Sequence, residues 1–315
     1  MLLTTVSLGY SNNAYIADQI SPMVPVRRRS DIIPQYDQSY WFRNLAAVRA
    51  PGTPSQRISF QVDNTKTYYC QRYSIGFNLI DEVRDNTDMP YDLDRDATRL
   101  VTDKLMMNRE ANFSSRYFTT GVWTGDQTGA ATGGDFIWFS DYDTSVPLPV
   151  LTGYMDDVEA QIAREPNKIV MGKQVWMILK WHPQLMDTIK GGATTQNLAV
   201  LQLDALASLL ELPAGSILIG RSIMTSSPEG TVEASVVYNR IWGKNMLLLY
   251  VPATASLFTP AAMYTFVWQR VPNALQYIRR FREEPSEIDV IEGNSYYDQR
   301  VTAARAGKFL AQAVE

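Results

Sequence analysis

The sequence is poor in the side chains on which enzymes most often rely. Its 315 residues include one cysteine, Cys70, and one histidine, His182. A single cysteine excludes an internal disulfide and fits folding in a reducing compartment, and we expect Cys70 to be a small, buried, apolar side chain. Any Ser-His-Asp, Cys-His or histidine-based metal site would have to use His182.

Spaced catalytic and ligand-binding motifs are also missing. The sequence contains no GxSxG, HExxH, CxxC, Walker A or EF-hand spacing. Gly129, Gly133 and Gly134 are not followed by the Lys-Ser/Thr pair of a phosphate loop, so residues 121–143 are predicted to be a surface loop.

His182 precedes Pro183 at a predicted helix start, and a structural role there is the interpretation that we favour. An α/β hydrolase that uses His182 is an alternative from a different class, although the sequence has no nucleophile elbow. We therefore predict that the protein is not an enzyme, and we assign no catalytic, cofactor-binding or metal-binding residue.

Neither a large excess of charge nor a long hydrophobic run is present. The 29 Lys and Arg residues against 33 Asp and Glu residues give a net charge of −4, which disfavours charge-driven wrapping of nucleic acid. Residues 1–26 have no basic segment followed by an apolar core, and no window approaches a transmembrane span. We expect a soluble protein that is made in a cytoplasm.

The segment 90–120 organises the rest of the sequence. It has no glycine and no proline after Pro90, and it predicts an amphipathic helix about 45 Å long. Asp88 is the predicted N-cap, with Pro90 in the first turn. The predicted buried stripe consists of Leu93, Ala97, Leu100, Val101, Leu105, Met106 and Ala111. The predicted solvent face consists of Asp94, Arg95, Arg99, Asp103, Lys104 and Arg109.

Two extended segments precede this helix. Residues 1–45 contain three prolines and many apolar side chains, and are predicted to be an arm that lies on its own chain or on a neighbouring subunit. Its Arg27, Arg28 and Arg29 are predicted to form salt links to an acidic neighbour rather than to bind nucleic acid. Residues 46–86 alternate between apolar and polar over 57–62 and 66–79, which predicts a long hairpin that needs support from another surface.

The second half of the sequence mixes helix and strand patterns. Residues 151–267 are typical of an α/β or α+β layer structure. Predicted helices there cover 153–164, 172–181, 183–189 and 203–210, and predicted strands cover 168–171, 216–220, 245–251 and 263–269. From 270 onward the pattern is again strand-like, with segments 275–282, 287–291 and 296–303, and these strands are predicted to return to the long helix.

The order of seven sequence segments is similar to that in the major capsid proteins of tailed bacteriophages, which have the Hong Kong 97-type fold shared with encapsulin shells. The segments are PVRRRSDIIPQYD, YSIGFNLIDEVRDNTDMPYDLDRDATRLV, the NRE of Asn108, Arg109 and Glu110, MGKQVWMILKWHPQLMDTIKGG, LDALASLLELPAGSILIGRS, TFVWQRVP and YYDQRV.

The resemblance implies an α+β fold with an N-terminal arm (1–45), an extended E-loop hairpin (46–86), an A-domain (151–267) and a P-domain. The P-domain would combine the long helix and following loop (87–150) with the C-terminal strands (268–315). Hexamers and pentamers would close an icosahedral shell around double-stranded DNA, which is enclosed without sequence-specific binding. An encapsulin-type compartment is the alternative.

The resemblance also implies partners and a location. The chain would bind copies of itself, a portal protein and possible decoration proteins, with no membrane, in a virion capsid assembled in the host cytoplasm. No long charged helical segment precedes the arm, which implies a separate scaffolding protein or proteolytic removal.

Several side chains are predicted to contact neighbouring subunits. Lys66 is the one lysine within 46–86, and we interpret it as an exposed lysine without predicting a covalent crosslink. The full set of candidate intersubunit contacts is Arg27, Arg28, Arg29, Trp41, Phe42, Lys66, Tyr68, Arg72, Arg279, Arg280, Glu283 and Glu284.

Overall fold

The computed structural model describes residues 15–33, 35–36, 42–46, 48–55, 57, 62–63, 65–86, 92–190, 202–254, 261–269 and 275–315. Trp41, most of the predicted strand 57–62 and the predicted cap residues Asp88 and Pro90 lie outside these ranges.

All five predicted helices are present with shifted ends, and the structure adds two short helices that were not predicted, Ala17–Ile20 and Asp81–Asp85. Prolines 147 and 149 lie in the first turn of α4, where a missing N–H is tolerated, so the helix begins several residues before the predicted start. Within the described ranges no helix combines the length and apolarity needed to cross a bilayer. The helices are α1 (Ala17–Ile20), α2 (Asp81–Asp85), α3 (Leu93–Tyr117), α4 (Pro147–Ile162), α5 (Lys173–Leu179), α6 (Pro183–Lys190) and α7 (Leu203–Leu209).

Strands are present at the short apolar runs where the sequence predicts them. Two of the predicted strands are parts of one longer strand. Segments 287–291 and 296–303 form a single strand, β16. In order, the strands are β1 (Met23–Val26), β2 (Ser30–Ile32), β3 (Gln35–Tyr36), β4 (Val62–Asp63), β5 (Thr67–Tyr69), β6 (Gln71–Ile80), β7 (Gln127–Ala130), β8 (Phe136–Ile137), β9 (Lys168–Gly172), β10 (Ile217–Gly220), β11 (Ile223–Thr225), β12 (Tyr238–Arg240), β13 (Met246–Leu249), β14 (Met263–Trp268), β15 (Gln276–Glu283), β16 (Ile288–Val301) and β17 (Gly307–Ala311).

The first sheet is built around β16. Strand β6 pairs along one edge of β16, strands β15 and β14 pair along the other, and β1 adds to β14 in parallel. Helix α3 packs on one face, where Leu79, Ala97 and Ile291 form a buried cluster. Gly293 allows this close approach, because a Cβ there would overlap Val101 and come within 2.9 Å of Leu105. The predicted return of the C-terminal strands to the long helix is confirmed.

The second sheet has the order β10-β9-β13-β17-β7-β8 and is buried on both faces. One face includes Met171 and Leu248, and the other includes Val170 and Leu247. Apolar side chains on both faces explain why β9, β10 and β13 are nearly continuous hydrophobic runs in the sequence.

The glycine-rich segment 121–143 is not a surface loop, contrary to the prediction. It supplies β7 and β8 to the edge of the second sheet, and its Phe139 is fully buried. Gly129 lies so close to the Phe136 ring that an added Cβ would be 2.9 Å from it. The glycine therefore serves close packing rather than loop flexibility.

Helix α3 begins later than predicted, and of the predicted buried stripe it buries Ala97, Val101 and Leu105. Asp92 caps the helix, since its Oδ1 accepts a hydrogen bond from the Arg95 amide at 3.1 Å. Leu100, predicted to be buried, is 43% exposed, whereas Val101 is 2% exposed. Arg109, predicted to face solvent, is buried. The buried face consists of Ala97, Thr98, Val101, Thr102, Leu105, Arg109, Glu110 and Phe113.

This face assignment predicts different costs for two neighbouring substitutions. Leu100→Ala is expected to change the free energy of unfolding by less than about 0.5 kcal/mol, because the side chain is exposed on the helix surface and its loss leaves no cavity. Val101→Ala should lower it by about 2 kcal/mol, since it leaves a cavity against Gly293. Urea unfolding of the two variants checks this, and equal losses would contradict the assignment.

The described part of the arm lies on its own chain. Ile16, Ala17 and Ile20 are buried in a core cluster with Val170 and Trp242. Strand β2 pairs with β5, and β3 pairs with β4. In the described part of the predicted hairpin, Val62–Asp63 and Thr67–Tyr69 pair with the arm, whereas Gln71–Ile80 pairs with β16. The arm supplies the supporting surface that a two-stranded ribbon requires.

Candidate functional site: contact residues and an internal junction

Two of the predicted contact arginines pair with an acid of their own chain. An Nη of Arg72 lies 2.5 Å from Glu292 Oε1, and an Nη of Arg279 lies 3.0 Å from Glu292 Oε2. Burial raises the pKa of Glu292, but a hydrogen bond from Asn294 and the charges of Arg279 and Arg72 together outweigh it. The pKa of Glu292 is therefore below its ordinary value. These cations stabilise the outer face of the first sheet, although both remain partly exposed.

Arg280 belongs to an ion-pair network centred on Asp289. Arg280 and Arg84 both bond Asp289 Oδ2, with Arg84 at 2.6 Å, and Arg84 also lies 2.9 Å from Asp94. Hydrogen bonds from Arg280 and then Arg84 lower the pKa of Asp289 from 3.8 to about 2. The network links α2, α3, β15 and β16, so Arg280 has a role within the subunit.

The lowered pKa of Asp289 predicts acid sensitivity. Because the folded-state value lies below the ordinary one, the stabilisation is complete above about pH 4 and is lost as the pH falls towards about 2. Asp289→Asn should lower the free energy of unfolding by about 1–3 kcal/mol near neutral pH. Urea unfolding at about pH 7 and about pH 3 should show a smaller difference between wild type and variant at the lower pH. An equal difference at both values would contradict this role.

The triple arginine also has partners within the chain. Arg28 lies 3.5 Å from Asp31, and Arg29 Nε donates to the Cys70 carbonyl at 3.1 Å while its guanidinium lies 4.8 Å from the Tyr69 ring centroid. Among described residues no ion pair reaches Arg27. Arg28 therefore has an acidic partner within its own subunit, and contact of the three arginines with a neighbouring subunit stays a prediction.

The other predicted contact residues differ in how much of each side chain is exposed to solvent. Tyr68 is buried and stacks on Phe266 at 4.6 Å between ring centroids, so it has little surface left for a neighbour. Phe42 and Lys66 are exposed, and Lys66 Nζ donates to the Thr302 carbonyl at 3.1 Å. Glu283 and Glu284 are exposed, with Glu284 3.1 Å from Arg282. Contact with neighbouring subunits stays a prediction for this set.

A buried carboxylate that sequence reasoning missed joins three parts of the fold. Glu110 of α3 accepts hydrogen bonds from the amides of Ile16 (3.0 Å) and Ala17 (2.8 Å) in the arm. It also accepts from Trp242 Nε1 (2.5 Å) and Ser222 Oγ (3.2 Å) beside the second sheet. Burial raises the pKa of Glu110, while these donors oppose that shift. We call Glu110 and its four donors the Glu110 junction.

Arg109, the preceding residue, supports the same junction. Its Nε lies 3.2 Å from Asp18 of α1, and its guanidinium lies 5.9 Å from the Tyr297 ring centroid. The sequence carries one signal for this burial. Arg109 lies four residues after Leu105, and Glu110 lies three residues before Phe113, so both continue the apolar stripe of α3.

His182 has the structural role that was predicted. Its carbonyl accepts the Met186 amide at 3.2 Å, which begins α6, and burial lowers the pKa of its ring. His182 Nε2 lies 2.9 Å from Ser145 Oγ, and the Ser145 hydroxyl donates to the Asp141 carbonyl. Because the Ser145 proton is used in the bond to Asp141, the His182 ring donates a proton to the Ser145 oxygen in this arrangement. A general base would instead have to accept the serine proton.

This arrangement does not form a catalytic triad. His182 Nδ1 has no partner among the described residues, and the Asp141 carboxylate accepts bonds from Asp143 and Thr144 instead. Groups of three or more potential metal-binding side chains are also absent from the part of the chain that the structure describes. Cys70 is buried as predicted, and burial raises its pKa to about 12.

The sequence is similar to those of two phage major capsid proteins. No family model matches the sequence. The chain is 22% identical over 251 residues to the major capsid protein of Burkholderia phage BcepMu, covering 80% of this chain and 76% of that protein. It is 25% identical over 248 residues to the major capsid protein of Pseudomonas phage JBD67, covering 79% and 75%. The chain is a relative of phage major capsid proteins.

Solved structures confirm the fold of a capsid protein. A phage-related protein from Bordetella bronchiseptica matches with a TM-score of 0.72 at 18% identity, over 99% of this chain and 96% of that one. The mature capsid of bacteriophage PhiM1 matches at 0.55 and 11% identity over 96% and 88%. The SrpI encapsulin of Synechococcus elongatus matches at 0.54 and 10% identity over 94% and 86%. The predicted mixed α+β class is confirmed, and the predicted resemblance to phage major capsid proteins is confirmed by the sequence relatives.

Proposed function

We propose that this chain is the shell-forming subunit of a phage capsid. The observation that carries the proposal is the match of about four-fifths of the chain to two phage major capsid proteins. The fold agrees, because it is shared with solved capsids over nearly the whole chain. In this proposal hexamers and pentamers close an icosahedral shell that encloses double-stranded DNA.

The proposed subunit would also have a defined domain architecture and a set of partners. The chain would have the Hong Kong 97-type division into arm, E-loop, P-domain and A-domain, with the first sheet and α3 in the P-domain. It would act in the virion without enzymatic activity, after assembly in the host cytoplasm. A portal protein, a scaffolding protein and decoration proteins would be its partners besides further copies of itself.

The arm contacts suggest how such a subunit would assemble. Because Ile16, Ala17 and Ile20 complete the subunit's own core, each subunit can fold before it meets a neighbour. Assembly would then depend on exposed surfaces that make many modest contacts, which allows wrongly placed subunits to leave before the shell closes.

Electron microscopy of the expressed full-length chain tests this function. Expression with and without other virion proteins should give closed shells of uniform diameter. Persistent monomers under every condition would contradict the proposal. The encapsulin-type compartment has the SrpI fold match in its favour. Shells that protect DNA from nuclease support the phage capsid, whereas shells that contain an enzyme and no genome support the compartment.

A further inference from the structure

Three cations line a pocket beside α5, and the charges of two further cations act on one of the three, Lys173. The pocket has a volume of about 400 Å³ and is lined by Lys173, Arg240 and Lys244. Burial lowers the pKa of Lys173, and the nearby charges of Arg221, Lys180 and Arg240 lower it further. Within the described ranges none of these five cations forms an ion pair. Glu315 is the acidic residue of the lining.

The interior of this pocket is apolar. Met177, Ile178 and Val314 contribute to its lining, and Met177 is 47% exposed. Trp181, two residues after the end of α5, is also exposed, and Lys180 Nζ lies 5.9 Å from the centroid of its ring. An apolar surface with a cationic rim suits a peptide segment that combines an apolar side chain with carboxylates. A bare phosphate group would leave the apolar lining uncovered.

A segment of that composition projects from the same chain. Strands β11 and β12 form an isolated ribbon, and residues 226–237 connect them. We call residues 228–233 the ribbon tip. The tip carries exposed Glu229 and Glu233, with Val232 73% exposed between them. A two-stranded ribbon that exposes this much apolar surface is expected to have a binding partner.

The ribbon is already ordered by polar contacts of its own. Thr225 Oγ1 donates to the Val237 carbonyl at 3.1 Å, and the Val237 amide donates to Ser227 Oγ at 2.9 Å. Asn239 Nδ2 donates to Ser226 Oγ at 3.0 Å. A segment that is ordered before binding loses less conformational entropy when it docks.

We propose that the ribbon tip of one subunit binds the pocket beside α5 of a second copy of this chain. Val232 would cover Met177 and Ile178, while Glu229 and Glu233 would pair with Arg240 and Lys244. The tip does not line the pocket of its own subunit. Tip and pocket are different surfaces, so the contact is head-to-tail and each copy can engage two neighbours, as a closed ring requires. The proposal rests on the shell function and names one of its interfaces.

Disulfide trapping tests the contact without requiring closed shells. The single native cysteine is buried, which leaves engineered cysteines as the reactive thiols. Mixing full-length Val232→Cys with full-length Met177→Cys under mild oxidation should give a covalent dimer. Pairing Val232→Cys with Val83→Cys, which is exposed on α2, is the matched control and should give little dimer.

Three trapping results would overturn the proposal. The first is no dimer from the Val232→Cys and Met177→Cys mixture above the Val83→Cys control. The second is equally efficient trapping of Val232→Cys with itself, which indicates a tip-to-tip contact. The third is an intramolecular disulfide in the double variant at high dilution. None of these results depends on shell formation, so failure here and failure of the shell function are distinguishable.

Charge reversal supplies an independent test in assembled particles. Glu229→Lys with Glu233→Lys, and separately Arg240→Glu with Lys244→Glu, should each reduce the yield of shells by about 10-fold or more. Combining all four changes in one chain should restore much of that yield. Glu82→Lys with Asp85→Lys on α2 is the control for the tip reversal, because it changes the net charge by the same amount, and circular dichroism checks that each variant is folded.

The same variants distinguish a contact with packaged DNA. If the pocket reversal leaves assembly intact but reduces retained DNA, and the tip reversal has no effect, the pocket binds phosphate and the proposed contact is wrong. Normal assembly and normal DNA content in both reversal variants would also overturn it. A lower yield of the disulfide-linked dimer at high salt supports the proposed ion pairs between tip and pocket.

Discussion

Glu110→Ala is expected to lower the free energy of unfolding by about 3–5 kcal/mol, because it leaves buried donors without an acceptor. The amides of Ile16 and Ala17, the Trp242 indole and the Ser222 hydroxyl would all lose their partner at once. Urea unfolding of the full-length chain measures the loss. The arm should detach first, so protease cleavage near residue 20 should accelerate in the variant.

Two further variants make this expectation specific. Glu110→Gln keeps the size of the side chain but replaces one acceptor oxygen by an NH₂ group, so an intermediate loss is expected. Glu159→Ala removes an exposed glutamate from α4 and should have little effect. If Glu110→Ala were no more destabilising than Glu159→Ala, the junction would not connect the arm to the core.

Gly293→Val is the second substitution with a large expected effect. The new side chain would overlap Val101 and lie against Leu105 and Ile278, so α3 would have to move away from β16. We expect a loss of about 3 kcal/mol or more in the free energy of unfolding, at the upper end of the cost of overpacking. A thermal melt or urea titration of the full-length chain measures it.

A compensating change tests the cause of that loss. Adding Val101→Ala to Gly293→Val removes the nearest obstructing atoms, so the double variant should be more stable than the sum of the two single losses predicts. Gly153→Ala on α4 is the control, since an added Cβ there meets no atom within 4 Å and alanine favours a helix. Strictly additive losses would contradict direct contact between positions 101 and 293.

Strands β9, β10 and β13 of the second sheet could be predicted because both of their faces are buried, whereas β7, β8 and β17 were not predicted. Ile169, Leu218 and Leu247 each lie in a strand whose two faces are covered, so consecutive residues of these strands are mostly apolar. Helices α5, α6 and α7 were similarly predictable from short amphipathic patterns and their flanking prolines and glycines. These are local signals that need no knowledge of partners.

The Glu110 junction could not be predicted in the same way. Its four donors lie between 93 and 132 residues from Glu110 along the chain, and a buried charge cannot be told from an exposed one in the sequence until such partners are known. The side of α3 that carries Leu100 was ambiguous for a related reason, because the direction of burial depends on where β16 passes. Gly129 was misread since close packing and loop flexibility both favour glycine.

Both sheets receive essential strands from the last quarter of the sequence. Strand β16 occupies the centre of the first sheet, and β17 lies between β13 and β7 in the second. Strand β6 meets β16 only after more than 200 intervening residues have been synthesised, as the pairing of Ile80 with Ile288 shows. Such distant pairings make folding slow and favour assistance from chaperones. A product of interrupted translation that stops before residue 288 would lack the centre of one sheet and an inner strand of the other.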